Sequence, residues 1–184
     1  MDFESPDALM EYCKSTGRSY VAFSLEQTGR ELGTVVLELY TDIAPATCAN
    51  FLKFVKGSEK GHTYENTPIH RVVKSGWIQG GDVVDGSGKG DPGFTLPDET
   101  FAVKHDERGI LGMANKGQPH TAATQFYIAI SPLPFLDGKR VAFGKVLTAE
   151  GLDCLGKLEN LQTYINERPV PEVTLANCRV LYEP

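Results

Sequence analysis

Two neighbouring segments near the start of the chain alternate apolar and polar residues, and this alternation limits the fold more than any other feature. Residues 20–27 and 33–40 both have the two-residue period of a β-strand with one buried face. The apolar positions are Val21, Phe23, Leu25, Val35, Leu37 and Leu39. Because Gly29 lies in the short connection, the pattern predicts an antiparallel β-hairpin.

Helical patterns are few. Residues 45–56 and 150–158 place apolar side chains at the three- and four-residue spacing of a helix. A short helix is also predicted before the hairpin, where Ser5 can cap it and Gly17 can end it. Most of the remaining chain has strand character, and the last predicted strand covers residues 173–181. Many short strands with few helices favour a mostly β fold, a closed antiparallel barrel plugged by helices.

Composition and charge exclude several classes of function. A chain of 184 residues is most simply one domain with a short appendage, and it can bury a core without disulfides or metals. The net charge of −6, with no basic run, argues against nucleic-acid binding. No apolar stretch approaches the ~20 residues of a membrane helix, and residues 1–5 lack the apolar core of a secretion signal. We therefore expect a soluble, cytoplasmic protein with no membrane or nucleic-acid partner.

Cysteines and histidines do not form metal or disulfide patterns. The four cysteines stand singly in apolar surroundings, at Cys13, Cys48, Cys154 and Cys178. We expect them to be buried free thiols in a reducing compartment. The four histidines have no metal-ligand spacing, so we expect no bound metal. Residues 88–93 formally match the dinucleotide fingerprint, but a proline and the lack of a following helix predict a loop.

Residues 69–82, Ile-His-Arg-Val-Val-Lys-Ser-Gly-Trp-Ile-Gln-Gly-Gly-Asp, place polar side chains on strand-like sequence. Alternation predicts one face carrying Ile69, Arg71 and Val73. The opposite face is predicted to carry His70 and Val72. Beyond a break in the strand pattern, Trp77 and Gln79 share a face. A face with a cation, an amide and an indole indicates a binding surface rather than a core.

Two later segments extend this pattern. Residues 110–115, Ile-Leu-Gly-Met-Ala-Asn, end in Ala114 and Asn115. In residues 124–130, Thr-Gln-Phe-Tyr-Ile-Ala-Ile, alternation puts Gln125 and Tyr127 on one face and larger apolar residues on the other. With Leu-Asp-Gly-Lys-Arg-Val-Ala-Phe-Gly at 136–144, these motifs stand in order and at near-family spacing. Over residues 19–178 the chain strongly resembles the cyclophilins, the peptidyl-prolyl cis-trans isomerases.

The resemblance implies an eight-stranded antiparallel barrel capped by two helices, with residues 1–18 as an N-terminal extension and 19–184 as the cyclophilin-like domain. Whether the N-terminal helix packs on the barrel or reaches toward a partner stays open. The resemblance assigns catalytic roles to Arg71, Gln79, Asn115 and Gln125. It assigns substrate binding to Trp77, Ala114, Lys116, Tyr127, Phe135, Leu136 and Arg140. It implies no cofactor or metal, and a monomer that binds proline-containing peptides or proteins.

Isomerisation needs neither a nucleophile nor a base. Rotation about the peptide bond crosses a barrier of ~18–20 kcal/mol, and a donor to the prolyl nitrogen can lower it as resonance is lost. Each ~1.36 kcal/mol of preference for the twisted state gives a tenfold acceleration. The guanidinium of Arg71 suits this role, Gln79 can hold it, and the amides of Asn115 and Gln125 can grip the substrate backbone. Taken singly, Arg71 could form a surface salt bridge, Gln125 could face solvent and Asn115 could be a turn residue.

The proline pocket departs from the family pattern. Gly76 stands where the family has an aromatic residue, and Trp77 follows where methionine is usual. We hypothesise that Trp77 fills the space, against the alternative that it only packs in the barrel. Tyr127 replaces a phenylalanine, so its hydroxyl needs a partner or solvent. Phe135 replaces a tryptophan that favours cyclosporin, so we expect weakened cyclosporin affinity.

Two substitutions add positive charge near the groove. Arg140 stands in place of the usual histidine, and Lys116 takes a position that is normally small. We therefore predict a mild preference for acidic residues flanking the target proline. The alternative is that both side chains reach into water without effect.

Three hypotheses for function follow. The first is a prolyl isomerase acting on X-Pro bonds to assist folding or conformational switching. The second is a proline-peptide-binding module of the same fold with little turnover, because the pocket aromatics are altered. The third is a barrel that carries a small apolar ligand, and the large apolar residues of the strands argue against such a cavity.

Overall fold

A computed structural model describes residues 1–58 and 60–184 of the chain. In order, its elements are α1 (Pro6–Thr16), β1 (Ser19–Gln27), β2 (Arg30–Leu39), α2 (Pro45–Lys56), β3 (Arg71–Val73), β4 (Trp77–Gly80), β5 (Ile110–Met113), β6 (Phe126–Ala129), a 3₁₀ turn (Pro134–Leu136), β7 (Ala142–Val146), α3 (Ala149–Glu159) and β8 (Val173–Tyr182). The predicted hairpin, both capping helices and the last strand are present within a few residues of their expected ends.

The eight strands form one antiparallel sheet that curls into a barrel. Their order is β3-β4-β6-β5-β7-β2-β1-β8, so β3 and β8 are the ends of the paired sheet. The segment just before β3 closes the gap, because Asn66 N–H donates to Leu175 O at 2.8 Å and Ile69 N–H donates to Val173 O at 2.9 Å. The mostly β class and the eight strands are confirmed, and the closure uses this short connection rather than a long strand pair.

Local sequence signals account for the helices and the first hairpin. The Ser5 hydroxyl accepts a hydrogen bond from Ala8 N–H, and Gly17 ends α1 with a left-handed φ of 68°. In the hairpin, Val21 lies opposite Leu37, which aligns the apolar faces of both strands. Helix α1 packs on the barrel through Cys13, which is fully buried among residues of β1 and β2. All four cysteines are buried free thiols, as predicted.

Aromatic rings fill the centre of the barrel. Helix α2 contributes Phe51, whose ring centroid lies 5.0 Å from that of Tyr64 and 5.2 Å from that of Phe143. Phe23 and Phe126 complete this group, with centroids 5.8 Å apart. The filled interior opposes the apolar-carrier hypothesis. No helix among residues 1–58 and 60–184 combines the length and the apolar character needed to cross a membrane.

The predicted face of Ile69 is wrong. Ile69 was expected to point with Arg71, but it is buried in the same central cluster as Val72, whereas Arg71 is only partly buried. The reason is that β3 begins at Arg71, so the two-residue alternation does not extend back to position 69.

Candidate active site

Two adjoining cavities open on the outer face of strands β3 to β6. One has a volume of about 330 Å³ and the other about 310 Å³, and both are lined by Gln79, Ala114 and Asn115. The first is also lined by Arg71, Trp77, Tyr127, Phe135, Leu136 and Arg140. The second is also lined by Lys116, Gln125 and the glycine-rich segment around Gly88. All eleven residues that the sequence assigned to a site therefore lie around one continuous cleft.

Arg71 is held from two sides. Its Nε donates a hydrogen bond of 2.6 Å to the Glu167 carboxylate, and its guanidinium carbon lies 5.2 Å from the centre of the Trp77 ring. The Arg71 side chain is 41% exposed, so its remaining N–H groups are accessible beside the cavity. The planar fork is thus fixed at Nε while the Nη groups can donate to a bound molecule.

The two glutamines form a directed hydrogen-bond chain. Trp77 Nε1 donates to Gln79 Oε1 at 3.2 Å, Gln79 Nε2 donates to Gln125 Oε1 at 3.0 Å, and Gln125 Nε2 donates to Gly88 O at 3.1 Å. Gln79 lies directly opposite Arg71 in the β3–β4 ladder. Its amide is nevertheless engaged by Trp77 and Gln125, so the contacts that fix Arg71 come from Glu167 and Trp77.

Asp82 organises the glycine-rich segment that ends this chain. Its buried carboxylate accepts backbone N–H groups from Gly88 at 2.8 Å and Gly90 at 3.0 Å, and further ones from Val84 and Asp85. Burial alone would raise the pKa of Asp82, but these N–H donors outweigh it and hold the pKa below its usual range. Asp82 therefore holds in place the segment whose Gly88 carbonyl accepts the hydrogen bond from Gln125.

Trp77 takes part in both roles that the sequence left open. Its half-buried ring lines the cavity that contains Arg71, and it also packs beside Ile110 and Leu133 on the barrel. Gly76 belongs to the tight turn before Trp77, where a Cβ would lie 2.9 Å from Val73 Cγ1. An aromatic residue at position 76 would therefore require Val73 to move, so the turn favours glycine.

The Tyr127 hydroxyl has a buried partner. It lies 2.6 Å from His105 Nε2, and His105 Nδ1 lies 2.9 Å from Asp137 Oδ1. Because a carboxylate only accepts hydrogen bonds, Nδ1 donates to Asp137, and this bond from His105 holds the pKa of Asp137 below its usual range. Burial raises the pKa of Tyr127, so the phenol stays protonated. Gly112 leaves room for it, since a Cβ there would overlap the Tyr127 Oη and Cζ atoms.

Asn115, Lys116 and Arg140 each already contact a partner within the protein. Asn115 Oδ1 accepts the Gly117 N–H at 2.9 Å, which is the turn role considered for it. Lys116 Nζ lies 3.2 Å from Asp91 Oδ2, so part of its charge is neutralised. Arg140 donates to the neighbouring Lys139 carbonyl at 2.9 Å while lining the cavity.

Several residues at the cleft were not predicted from the sequence, among them the glycine-rich segment around Gly88, Glu167, His105, Asp137 and Gly112. Glu167 contacts Arg71 across 96 residues, and no local pattern announces such a partner. His105, Asp137 and Gly112 surround the Tyr127 hydroxyl; the signal that could have found them is the tyrosine itself, whose phenol demanded a buried acceptor. Among residues 1–58 and 60–184 there is no group of three or more His, Cys, Asp or Glu residues able to hold a metal.

Comparison with known proteins gives a consistent result. A family model described as "Cyclophilin type peptidyl-prolyl cis-trans isomerase/CLD" matches residues 22–180. Proteins named "Probable inactive peptidyl-prolyl cis-trans isomerase-like 6" are 40% identical in Mus musculus, over 96% of this chain and 58% of theirs, and 41% identical in Homo sapiens, over 92% and 56%. A protein of Rhizopus delemar named "Peptidyl-prolyl cis-trans isomerase cyp11" is 38% identical over 86% of this chain and 49% of its own. The chain thus spans little more than half the length of the first two relatives.

Proposed function

Because the chain belongs to the cyclophilin-type peptidyl-prolyl cis-trans isomerase family, we propose that it catalyses cis-trans isomerisation of X-Pro bonds in exposed segments of other proteins. One observation carries this proposal. The guanidinium of Arg71, fixed at Nε, borders a cavity of about 330 Å³ whose other walls include Trp77, Tyr127 and Phe135. A pyrrolidine ring in that cavity would bring the prolyl nitrogen within reach of the Nη donors.

The reaction needs no covalent intermediate. As the peptide bond twists, the prolyl nitrogen loses resonance and its lone pair becomes available to accept a hydrogen bond. An Arg71 Nη group donates to that lone pair more strongly in the twisted state than in either planar state, which is the condition for rate acceleration. Apolar walls hold the ring while the acyl side of the bond rotates.

The neighbouring amides hold the substrate on the acyl side. Gln125 is fixed by Gln79 and by the Gly88 carbonyl, so it is already oriented before a peptide arrives. Pre-ordering lowers the entropy lost on binding. Asn115 lines both cavities, and a peptide backbone that passes from one to the other would lie beside it.

A second candidate function is proline-peptide binding with little turnover. It is favoured by the altered pocket, because Gly76 stands where the family has an aromatic residue and leaves proline with fewer apolar contacts. The names of the mouse and human relatives include the words "probable inactive", which points in the same direction for those proteins.

Exchange NMR on a proline peptide tests the proposal. With catalytic amounts of the protein, cis and trans resonances of the peptide should exchange far faster than the uncatalysed process, which takes tens to hundreds of seconds. Shift changes on titration report binding separately. Binding without faster exchange would support the second candidate, and neither effect would refute both.

Several further properties belong to this proposal. The clients are proline-containing peptides or proteins whose folding or switching depends on an X-Pro bond. Cyclosporin should bind weakly, because Phe135, 57% exposed, offers a smaller face than tryptophan. Domain division at residues 18 and 19, a monomeric state and a cytoplasmic location are proposed on the same basis.

A further inference from the structure

We propose that Glu167 is a positioning residue for catalysis, which orients the Arg71 guanidinium through its Nε and thereby aims the Nη donors at the substrate. This inference rests on the proposed isomerase function. The sequence suggested this orienting role for Gln79, and the proposal assigns it instead to Glu167, in a distant loop.

The first support is the pattern of bonds around Arg71. Gln79 lies opposite Arg71 in the ladder, but both ends of its amide are engaged by Trp77 and Gln125. The 2.6 Å bond from Arg71 Nε to Glu167 Oε2 is the one side-chain hydrogen bond of Arg71 among residues 1–58 and 60–184. The bond is made to Nε, the guanidinium nitrogen farthest from the end of the side chain. It therefore fixes the plane of the guanidinium and leaves the two Nη groups available to donate to a substrate.

The second support is the backbone of Glu167. Its φ is 64°, in the left-handed region where glycine is accommodated without cost. A glutamate persists there only when its surroundings hold it, and such strained residues gather at functional sites. The backbone strain at Glu167 is therefore offset by the contacts that this residue makes, and not by a residue type that favours a positive φ.

The third support is the way the loop is tied to the site. Val72 N–H donates to Glu167 O at 2.8 Å, and Glu167 N–H donates to Tyr164 O at 2.9 Å. Arg168 Nη1 donates to Gly86 O at 3.0 Å, which joins the same loop to the glycine-rich segment. The carboxylate is therefore delivered by a backbone anchored to β3, one residue from Arg71.

An exposed ion pair of this kind adds little to stability, because both side chains are about two-fifths exposed, at 41% for Arg71 and 39% for Glu167. Loss of Glu167 should therefore affect the rate and not the fold. A glutamine at this position can still accept from Nε, whereas an alanine cannot.

The test compares Glu167→Ala and Glu167→Gln with wild type in exchange NMR and in peptide binding. We expect Glu167→Ala to lower kcat about tenfold with KM within about twofold, and Glu167→Gln to keep kcat within about threefold. The matched control is Glu172→Ala, which removes the carboxylate that pairs with Arg168 in the same loop and should leave both constants unchanged. Unchanged or faster turnover in Glu167→Ala would overturn the inference.

A second readout separates this inference from the isomerase proposal. The Nε–H proton of Arg71 can be followed by ¹⁵N NMR without any substrate. We expect slow exchange of this proton with solvent in wild type and fast exchange in Glu167→Ala. Equal exchange of the Nε–H proton in both proteins would overturn the positioning role, even if wild type is an active isomerase. If wild type shows no turnover but its Nε–H is protected, the isomerase proposal is refuted and the orientation of Arg71 by Glu167 stands.

Discussion

Replacing Tyr127 with phenylalanine, the residue usual in the family, should destabilise this protein. The hydroxyl that the substitution removes is bonded to His105, whose side chain is fully buried. His105 Nδ1 donates to Asp137, and the other ring nitrogen, Nε2, is bonded to the Tyr127 hydroxyl. The substitution therefore leaves a buried ring nitrogen without a partner.

The size of the effect follows from this geometry. A buried group left unsatisfied costs about 1–3 kcal/mol of unfolding free energy. The Tyr127 hydroxyl also packs against Gly112, so phenylalanine at position 127 would leave a void of hydroxyl size. We expect a loss of about 1–3 kcal/mol, which for a domain of this size lowers Tm by roughly 2–12 °C.

Urea denaturation at pH 7, followed by circular dichroism, measures this loss. Tyr164→Phe is the matched control, because that tyrosine is 64% exposed and removing its hydroxyl should change the unfolding free energy by less than about 0.5 kcal/mol. A Tyr127→Phe protein as stable as this control, or more stable than wild type, would refute the assigned role of the Tyr127–His105 bond.

Three further predictions concern packing, pH and specificity. Gly112→Ala should lower the unfolding free energy by about 1–3 kcal/mol, because its Cβ would overlap the Tyr127 phenol; an unchanged urea midpoint would contradict the tight packing. Burial lowers the pKa of His70, so the unfolded chain takes up a proton first as pH falls below about 6.5. Wild type should then lose unfolding free energy between pH 6.5 and 5 more steeply than His70→Leu, and parallel curves would contradict this. At low salt, peptides with glutamate before proline should turn over faster than peptides with lysine there. Arg140→Gln should reduce this preference more than Lys116→Gln, because Lys116 is already paired with Asp91. A preference for lysine before proline would contradict this prediction.

Local sequence patterns were sufficient for the first hairpin, the three helices and the last strand, because those elements depend on nearby residues. The strand character expected for most of the remaining chain was wrong: the described residues between α2 and α3 contain five strands of three to five residues, and turns and loops make up the rest. The alternation of the first hairpin and the caps at Ser5 and Gly17 gave elements that the structure contains. The pattern misled at Ile69, where the chain is not yet a strand and the closure of the barrel decides which side is buried. Tertiary contacts override periodicity at such junctions.

The cleft was predictable only as far as the family motifs reach. The eleven proposed residues lie together, yet the motifs could not reveal which partner each side chain takes. Glu167 reaches Arg71 from a loop 96 residues away, and Gln79 turns toward Gln125 instead. These choices depend on competition among nearby donors and acceptors, which requires coordinates.

The Tyr127 region shows why a departure from the family pattern is understood only together with the residue that faces it. A phenol at position 127 would crowd any side chain at position 112, and glycine stands there. The sequence displays both residues, but it does not show that they face each other across the β5–β6 ladder.

Prolyl exchange spectroscopy on wild type, Arg71→Lys and Arg71→Ala tests the central claim most directly. If a fixed guanidinium lowers the rotational barrier, wild type should exchange the cis and trans peptide signals, Arg71→Lys should lose most of the rate for want of a planar fork, and Arg71→Ala should approach the uncatalysed rate while still binding peptide. Exchange at the wild-type rate in Arg71→Ala would contradict the account.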